Sequence, residues 1–147
     1  MRVTDVLAKK PVRIITIKPS DTVATLSALL REKRIGAAVV SSDGWTVEGV
    51  ISERDIAYGL AIHTSAMAAL PVSALMTRAV ITCTPTDTVG HVASTMMARN
   101  IRHIPVVEAG RLVGIRDVLN LRVDELQQQT AGLRSFVSQT DLAPQDR

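Results

Sequence analysis

Three short segments of this 147-residue chain occur twice, and in the same order each time. Pro19-Ser20-Asp21-Thr22-Val23 returns as Pro85-Thr86-Asp87-Thr88-Val89. Val3-Thr4-Asp5-Val6-Leu7 returns more weakly as Val72-Ser73-Ala74-Leu75-Met76, and Arg54-Asp55-Ile56 returns as Arg116-Asp117-Val118. Ordered repetition of this kind means two copies of one supersecondary unit, stacked so that each covers a face the other cannot cover alone.

Each copy spells the same elements. A short helix (near 3–8, or 72–77) leads into a β-branched run, Arg13–Ile17 or Val80–Cys83. The Pro-Ser/Thr-Asp-Thr turn then supplies helix N-cap chemistry. The next helix carries Val23, Leu26, Leu29 and Leu30 on one stripe, or Val89, Val92, Met96 and Met97. A hairpin follows. In the first copy it is Ala37–Ser41, a Ser42-Asp43-Gly44 turn and Val47–Ser52; in the second, Ile104–Val107, Glu108-Ala109-Gly110 and Arg111–Ile115. A helix closes each copy. The expected fold is α/β: two β-α-β-β-α repeats packed with pseudo-two-fold symmetry, plus a C-terminal helix. The expected boundaries are 1–62 for the first repeat, 63–71 for a linker, 72–120 for the second repeat, 121–138 for the C-terminal helix and 139–147 for a polar tail. A unit of about 60 residues with one helix-covered sheet face is marginal by itself. Two copies face to face would share a core and leave two related clefts between them.

Composition bounds what such clefts hold. Hydrophobic residues are 46% of the chain but aromatics only 2%, namely Trp45, Tyr58 and Phe136. The core must be aliphatic, and a ring ligand would have to lie between aliphatic side chains. A formal charge of +3 is too small to imply nucleic acid. The single cysteine, Cys83, excludes an internal disulfide and fits a reducing compartment. The opening Met1-Arg2-Val3-Thr4-Asp5 lacks a signal peptide's apolar stretch, and no apolar run approaches the ~18 residues of a membrane span. A soluble cytoplasmic protein is expected, with no membrane association.

The strand-to-helix junction Gly49-Val50-Ile51-Ser52-Glu53-Arg54-Asp55-Ile56 carries the functional signal. One reading is a capping box: Ser52 caps the helix and Asp55, three residues on, favours its positive end. The other uses the same geometry for a ligand. A helix N-terminus offers free N–H groups to an anion, and a carboxylate there accepts hydrogen bonds from the two vicinal hydroxyls of a ribose. Gly49 would let the backbone approach that ligand closely.

In this duplicated frame the junction resembles that of the CBS domains, named after cystathionine beta-synthase, which occur in tandem pairs. The resemblance covers residues 1 to about 120 and also rests on Ile35-Gly36-Ala37-Ala38-Val39-Val40, Ile101-Arg102-His103-Ile104-Pro105-Val106-Val107 and Leu112-Val113-Gly114. It implies a stand-alone regulatory module of bacterial type, not an enzyme, that binds adenine compounds between its repeats. AMP is the foremost candidate, with ADP, ATP, NAD(H) and S-adenosylmethionine as alternatives. No covalent cofactor and no metal are implied. Matched residue by residue, Asp55 would hold the ribose hydroxyls, Ser52 would contact ribose or phosphate, and Arg54 would neighbour the phosphate. Thr16, Ile17, Ala37 and Ala38 would frame the base. Thr82, Cys83, His103, Ile104 and Pro105 hold the matching places in the second repeat, with Arg116 beside Asp117, the second ribose-binding aspartate. The resemblance also implies a homodimer, a disc of four repeats, that reports to a separate effector protein.

The second repeat departs from the pattern. Gly49 to Asp55 spans six positions but Gly114 to Asp117 only three. An odd loss within a strand would reverse the facing of everything beyond it and bring Asp117 to a helix N-cap. The Asp117 cleft is therefore expected to be reshaped.

Other features are weaker. Arg31, Lys33 and Arg34 end one helix, and Arg99 and Arg102 end its counterpart; such charges complement the helix dipole, and Arg102 and His103 are placed to reach a phosphate. His103 also reads as an ordinary surface histidine. His63 and His91 show no metal-ligand spacing, and Cys83 aligns with Ile17 as a core residue. Leu119, Val123, Leu126, Thr130, Leu133 and Val137 alternate at steps of four and three, a heptad-like stripe suited to a helix pair across a dimer or to packing on its own module. A competing reading, a nucleic-acid-binding or structural scaffold, would use the basic helix ends and weaken steeply with salt.

Overall fold

The computed structural model describes residues 1–9 and 14–117, together with 126, 129 and 130. The element order is α1 (Val3–Lys9), β1 (Thr16–Ile17), α2 (Val23–Lys33), β2 (Ala37–Val40), β3 (Gly49–Ser52), α3 (Glu53–His63), α4 (Val89–Arg99), β4 (His103–Glu108) and β5 (Arg111–Asp117). Two 3-10 segments, Thr64–Ala69 and Val72–Ala74, join the halves. Leu126, Gln129 and Thr130 are helical. The remainder of the expected 121–138 helix, its stripe and the 139–147 tail lie outside the described residues.

Capping chemistry starts the long helices where the turns predict. The hydroxyl of Thr22 accepts from the N–H of Thr25, and that of Thr88 from the N–H of His91. Both helices end on a left-handed residue, Arg34 (φ 53°) for α2 and Asn100 (φ 52°) for α4. Asparagine tolerates this conformation; a longer side chain there costs roughly 1–2 kcal/mol.

The first sheet has the order β1-β2-β3, with β1 parallel and β3 antiparallel to β2. In the second half β4 and β5 form an antiparallel pair with a bulge between Val106 and Val107. The expected third strand, Val80–Cys83, contracts to a single parallel bridge, Cys83 to Val106. The cause is local. The Cys83 N–H donates to the Pro105 carbonyl and its carbonyl accepts from Val107, but Pro105, at the place of Val39, has no N–H with which to continue the ladder. The first β-run is also shorter than expected: only Thr16–Ile17 is paired, and Ile14 is 40% exposed.

The two cores are closed by exchange. Ile17, Leu26, Leu30, Ala38, Val40 and Ile51 bury against Val72, which belongs to the second copy in chain order. Cys83, Val89, Val92, Met96, Ile104 and Val106 bury against Val3 and Val6, which belong to the first. Matching backbone bonds fix the exchange: Val3 N–H to Asp87 C=O and Thr4 N–H to Pro85 C=O on one side, Val72 N–H to Asp21 C=O and Ser73 N–H to Pro19 C=O on the other. Burying one such valine is worth about 1.5–3 kcal/mol before entropy. Each core thus takes its leading segment from the other copy of the repeat. Residues 63–71 are seated rather than loose: Met67 is buried, and the Leu70 carbonyl accepts from the Val23 N–H. Two expected stripe positions diverge: Met96 is buried, whereas Met97 is 63% exposed.

Candidate functional site

Ser52 ends β3 in an extended conformation and starts α3. Its hydroxyl accepts from the Asp55 N–H at 3.3 Å and donates to Asp55 Oδ2 at 3.0 Å, and Oδ2 also accepts from the Ser52 N–H at 2.8 Å. The capping box is complete. It uses one carboxylate oxygen and leaves Oδ1 without a donor among the described residues. The box therefore holds the carboxylate in one orientation while keeping an acceptor available, so the structural and ligand-binding readings are compatible.

This α3 N-terminus opens onto a cleft of about 230 Å³ whose far wall belongs to the other half. Val50, Ser52, Arg54 and Asp55 face Thr77, Ala79, Val80 and Ile81, and the segment Asn100–His103 closes one end. Among the described residues no Phe, Tyr or Trp lines it; its larger apolar side chains are Val50, Val80, Ile81 and Ile101, beside the imidazole of His103. Thr77, the 79–81 run and Asn100 escaped the sequence reading. The repeat shows that two halves match, but not which part of one half faces Asp55 of the other.

Gly49 has a different task from the one expected. A Cβ there would fall 2.7 Å from Met76 Sδ and 3.0 Å from the Thr77 carbonyl. The close approach is to the chain itself: Val50 and Thr77 exchange two backbone hydrogen bonds (2.9 and 3.1 Å), which fasten the cleft's far wall to the edge of β3. Arg54 is also engaged within the protein. Its Nη1 donates to the Asn100 carbonyl at 3.3 Å, a cation at the C-terminal end of α4 that ties the halves together.

The other expected site residues separate into groups. Arg102 and His103 line the cleft. Thr16, Ile17, Ala37, Ala38, Thr82, Ile104 and Pro105 line neither this cleft nor its larger neighbour. Ile17 and Ala38 belong to the first core and Ile104 to the second, so their side chains are committed to packing. Cys83 is buried, and burial, with Asp87 adding to it, pushes its thiol up to about 11; Arg116 acts in the opposite sense. Such a thiol is a packing residue and not a nucleophile at neutral pH.

Register settles what the shortening does to β5. Val106 pairs with Gly114 as Val40 pairs with Gly49, so Arg116 stands where Ile51 stands and Asp117 where Ser52 stands. The expected reversal of facing does not occur: Gly49 and Gly114 are buried, Val50 and Ile115 intermediate, Ile51 and Arg116 buried again. The strand keeps its alternation through Arg116. Arg116, expected beside a ligand, is 5% exposed at a core position. The side chain of Asp117 and the segments 10–13 and 118–120 lie outside the described residues.

The second cleft, about 810 Å³, adjoins the first through Glu53, Arg102 and His103 and extends along the end of α2 past Arg31 and Arg34. Gly36 lines it: a Cβ there would meet His103 Nε2 at 3.3 Å. Among the described residues no group of histidines, cysteines and carboxylates could hold a metal ion. No described helix is long and apolar enough to cross a membrane.

Two α/β repeats that exchange their leading helices and close on a cleft between the halves define a tandem-repeat α/β pair. The family model that matches is the CBS domain, at residues 3–61 and again at 72–115. The chain belongs to the CBS domain family. It is similar to the solved CBS-domain containing protein of Agrobacterium tumefaciens (32% identity, 82% of this chain and 90% of that one, TM-score 0.78). It also resembles the CBS domain pair of protein MJ0100 in complex with 5′-methylthioadenosine and S-adenosyl-L-methionine (27% identity, 88% and 98% covered, TM-score 0.73). A third likeness is to CBSX2 in complex with AMP (27% identity, 80% and 90% covered, TM-score 0.67). The chain spans 84% of a CBS domain-containing protein of Bacillus subtilis, to which it is 27% identical, but only 36 to 65% of five further curated relatives.

Proposed function

We propose that this chain is a regulatory module that binds an adenine-containing ligand in the cleft headed by Ser52 and Asp55. The observation that carries the reading is the capping box, which orients Asp55 and leaves Oδ1 for ribose hydroxyls beside an aliphatic slot. Family members of similar fold hold AMP in one case and methylthioadenosine with S-adenosylmethionine in another, which supports an adenosine moiety as the shared ligand feature. AMP is the first candidate. The ligand would touch Ser52, Asp55 and Arg102 from different halves and so favour one relative orientation of them, a population shift that an effector protein reads in the cytoplasm. The module would act as a homodimer; Tyr58, Leu60 and Ile62 on α3 are exposed and available to such an interface.

Titration calorimetry with AMP, ATP, NAD(H) and S-adenosylmethionine tests this, alongside Asp55→Asn. The amide oxygen can still accept from the Ser52 N–H, so the variant keeps its cap, but it cannot accept from two hydroxyls at once. Saturable binding by the parent and its loss in the folded variant is the expected result. A parent protein, stripped of carried-over ligand, that binds none of the four overturns the reading.

A further inference from the structure

We infer that the loop carrying Trp45 is a brace between the two halves and is coupled to the Asp55 cleft: a ligand in the cleft tightens the brace, and loosening the brace weakens the ligand. The inference rests on the reading of the Asp55 cleft given above and extends it to how that cleft is regulated.

The two hairpins use nearly the same length of chain differently. Eight residues separate Val40 from Gly49, and seven separate the matching pair, Val106 and Gly114. In the second half the ladder continues to Glu108–Arg111 and closes on Ala109 and Gly110. In the first it stops at Val40–Gly49, and residues 41–48 form a loop. Its conformation is fixed from within. Asp43 Oδ1 accepts from the N–H groups of Trp45 and Thr46 and from the Ser41 hydroxyl, Oδ2 accepts from the Thr46 hydroxyl, and the Gly44 N–H donates to Ser41 Oγ. This network holds Trp45 against the other half. The Trp45 carbonyl accepts from the Leu112 N–H at 2.8 Å, and the Arg111 guanidinium lies over the indole, 5.7 Å from its centroid. Leu112 is buried while the indole remains half exposed, so the ring's surroundings change with small displacements of the joint.

The place of this joint in the fold supplies the coupling. β3 starts four residues after Trp45 and ends at Ser52, which heads the cleft. β5 starts at Arg111 and ends at Asp117, whose partner across the ladder, His103, lines the same cleft. Both strands thus run from the brace to the cleft walls, a reach of roughly 20 Å at ~3.3 Å per residue. Neither Trp45 nor Arg111 lines either cleft. A ligand touching both walls fixes the far ends of the two strands, and the brace fixes the near ends. Each restraint removes freedom that the other would otherwise have to remove, so the coupling is positive and reciprocal.

Trp45 is the only tryptophan, so its emission reports on the brace. The full chain, stripped of carried-over ligand, is titrated with AMP, ATP, oxidised NAD and S-adenosylmethionine, read by calorimetry and by Trp45 emission. The variant is Arg111→Gln, which removes the cation over the ring and keeps the Leu112 N–H. In the parent, emission should change with the same midpoint as the heat. Arg111→Gln should bind the same ligand about three- to fivefold more weakly, the scale of a cation–π contact at an exposed site. Flat emission in a parent that gives saturable heat, or a variant affinity within about 1.5-fold of the parent's, overturns this inference alone. A parent that binds none of the four removes the proposed function and this coupling with it.

Discussion

Asp117 pairs with His103 across β4 and β5 at the register position that Ser52 holds against Ala37 across β2 and β3. The aspartate of the second repeat thus occupies the place of the capping serine, three residues short of the place of Asp55. Asp117→Asn should therefore leave adenine-ligand affinity within about twofold of the parent, whereas Asp55→Asn abolishes it. Calorimetric stoichiometry should be one ligand per chain. A value of two, reduced by Asp117→Asn, would show that the second motif binds despite its displacement.

Gly49→Ala tests the joint between β3 and the far wall of the cleft. Its Cβ would arrive 2.7 Å from Met76 Sδ and 3.0 Å from a backbone carbonyl that has little freedom to move. A loss of about 1–3 kcal/mol in chemical denaturation is expected, as for other overpacked positions. Ligand affinity should fall too, because Thr77 lines the cleft. Unchanged stability would mean that the Val50–Thr77 bridge is not tight in solution.

Val72→Ala should destabilise the protein by about 2 kcal/mol, since Val72 is fully buried in the first core. A fragment ending at residue 62 lacks that valine altogether, and a fragment beginning at 72 lacks Val3 and Val6. Neither should give a dispersed NMR spectrum alone, and mixing the two would not restore the His63–Pro71 segment. A folded 1–62 fragment would contradict the exchange.

Asp43 predicts acid sensitivity at the β2–β3 turn. Its carboxylate accepts from the N–H groups of Thr46 and Trp45 and from the hydroxyls of Thr46 and Ser41, and these bonds hold its carboxyl well below the usual carboxylate range. A group more acidic when folded stabilises the protein above its unfolded pKa of about 3.9, and that stabilisation is lost as pH falls below it. Asp43→Asn should thus lower Tm at neutral pH, with the gap to the parent closing as the buffer is acidified below about pH 4. A gap that stays constant across that range would assign the turn's stability to other groups.

Much of this was legible beforehand for a physical reason: turn and cap chemistry is local. Pro19 to Val23 and Pro85 to Val89 announce the same helix start because Thr22 and Thr88 each satisfy an N–H three residues on. The Ser52–Asp55 box was readable on the same grounds. What was not readable depends on contacts distant in sequence. Nothing near Val3 says that it packs beside Cys83 and not beside Ile17. Nothing near Gly49 reveals that Met76 will lie against it. The three missing residues were visible, but whether they came from the strand or from the segment after it depended on the pairing of Gly114 with Val106.

The exchanged helices also bear on how the chain is made. Val3 and Val6 leave the ribosome before their partners, which run from Cys83 to Val106 and come about 80 to 100 residues later. At typical rates of synthesis that is a wait of about 4–20 s. During that interval α1 is an apolar stripe without a core, and the first sheet is without Val72 until the linker has been translated. Nascent chains stalled near residue 62 should therefore be soft to proteolysis and prone to chaperone capture, with protection of the first core arriving once Val72 has emerged and that of the second only after Val106.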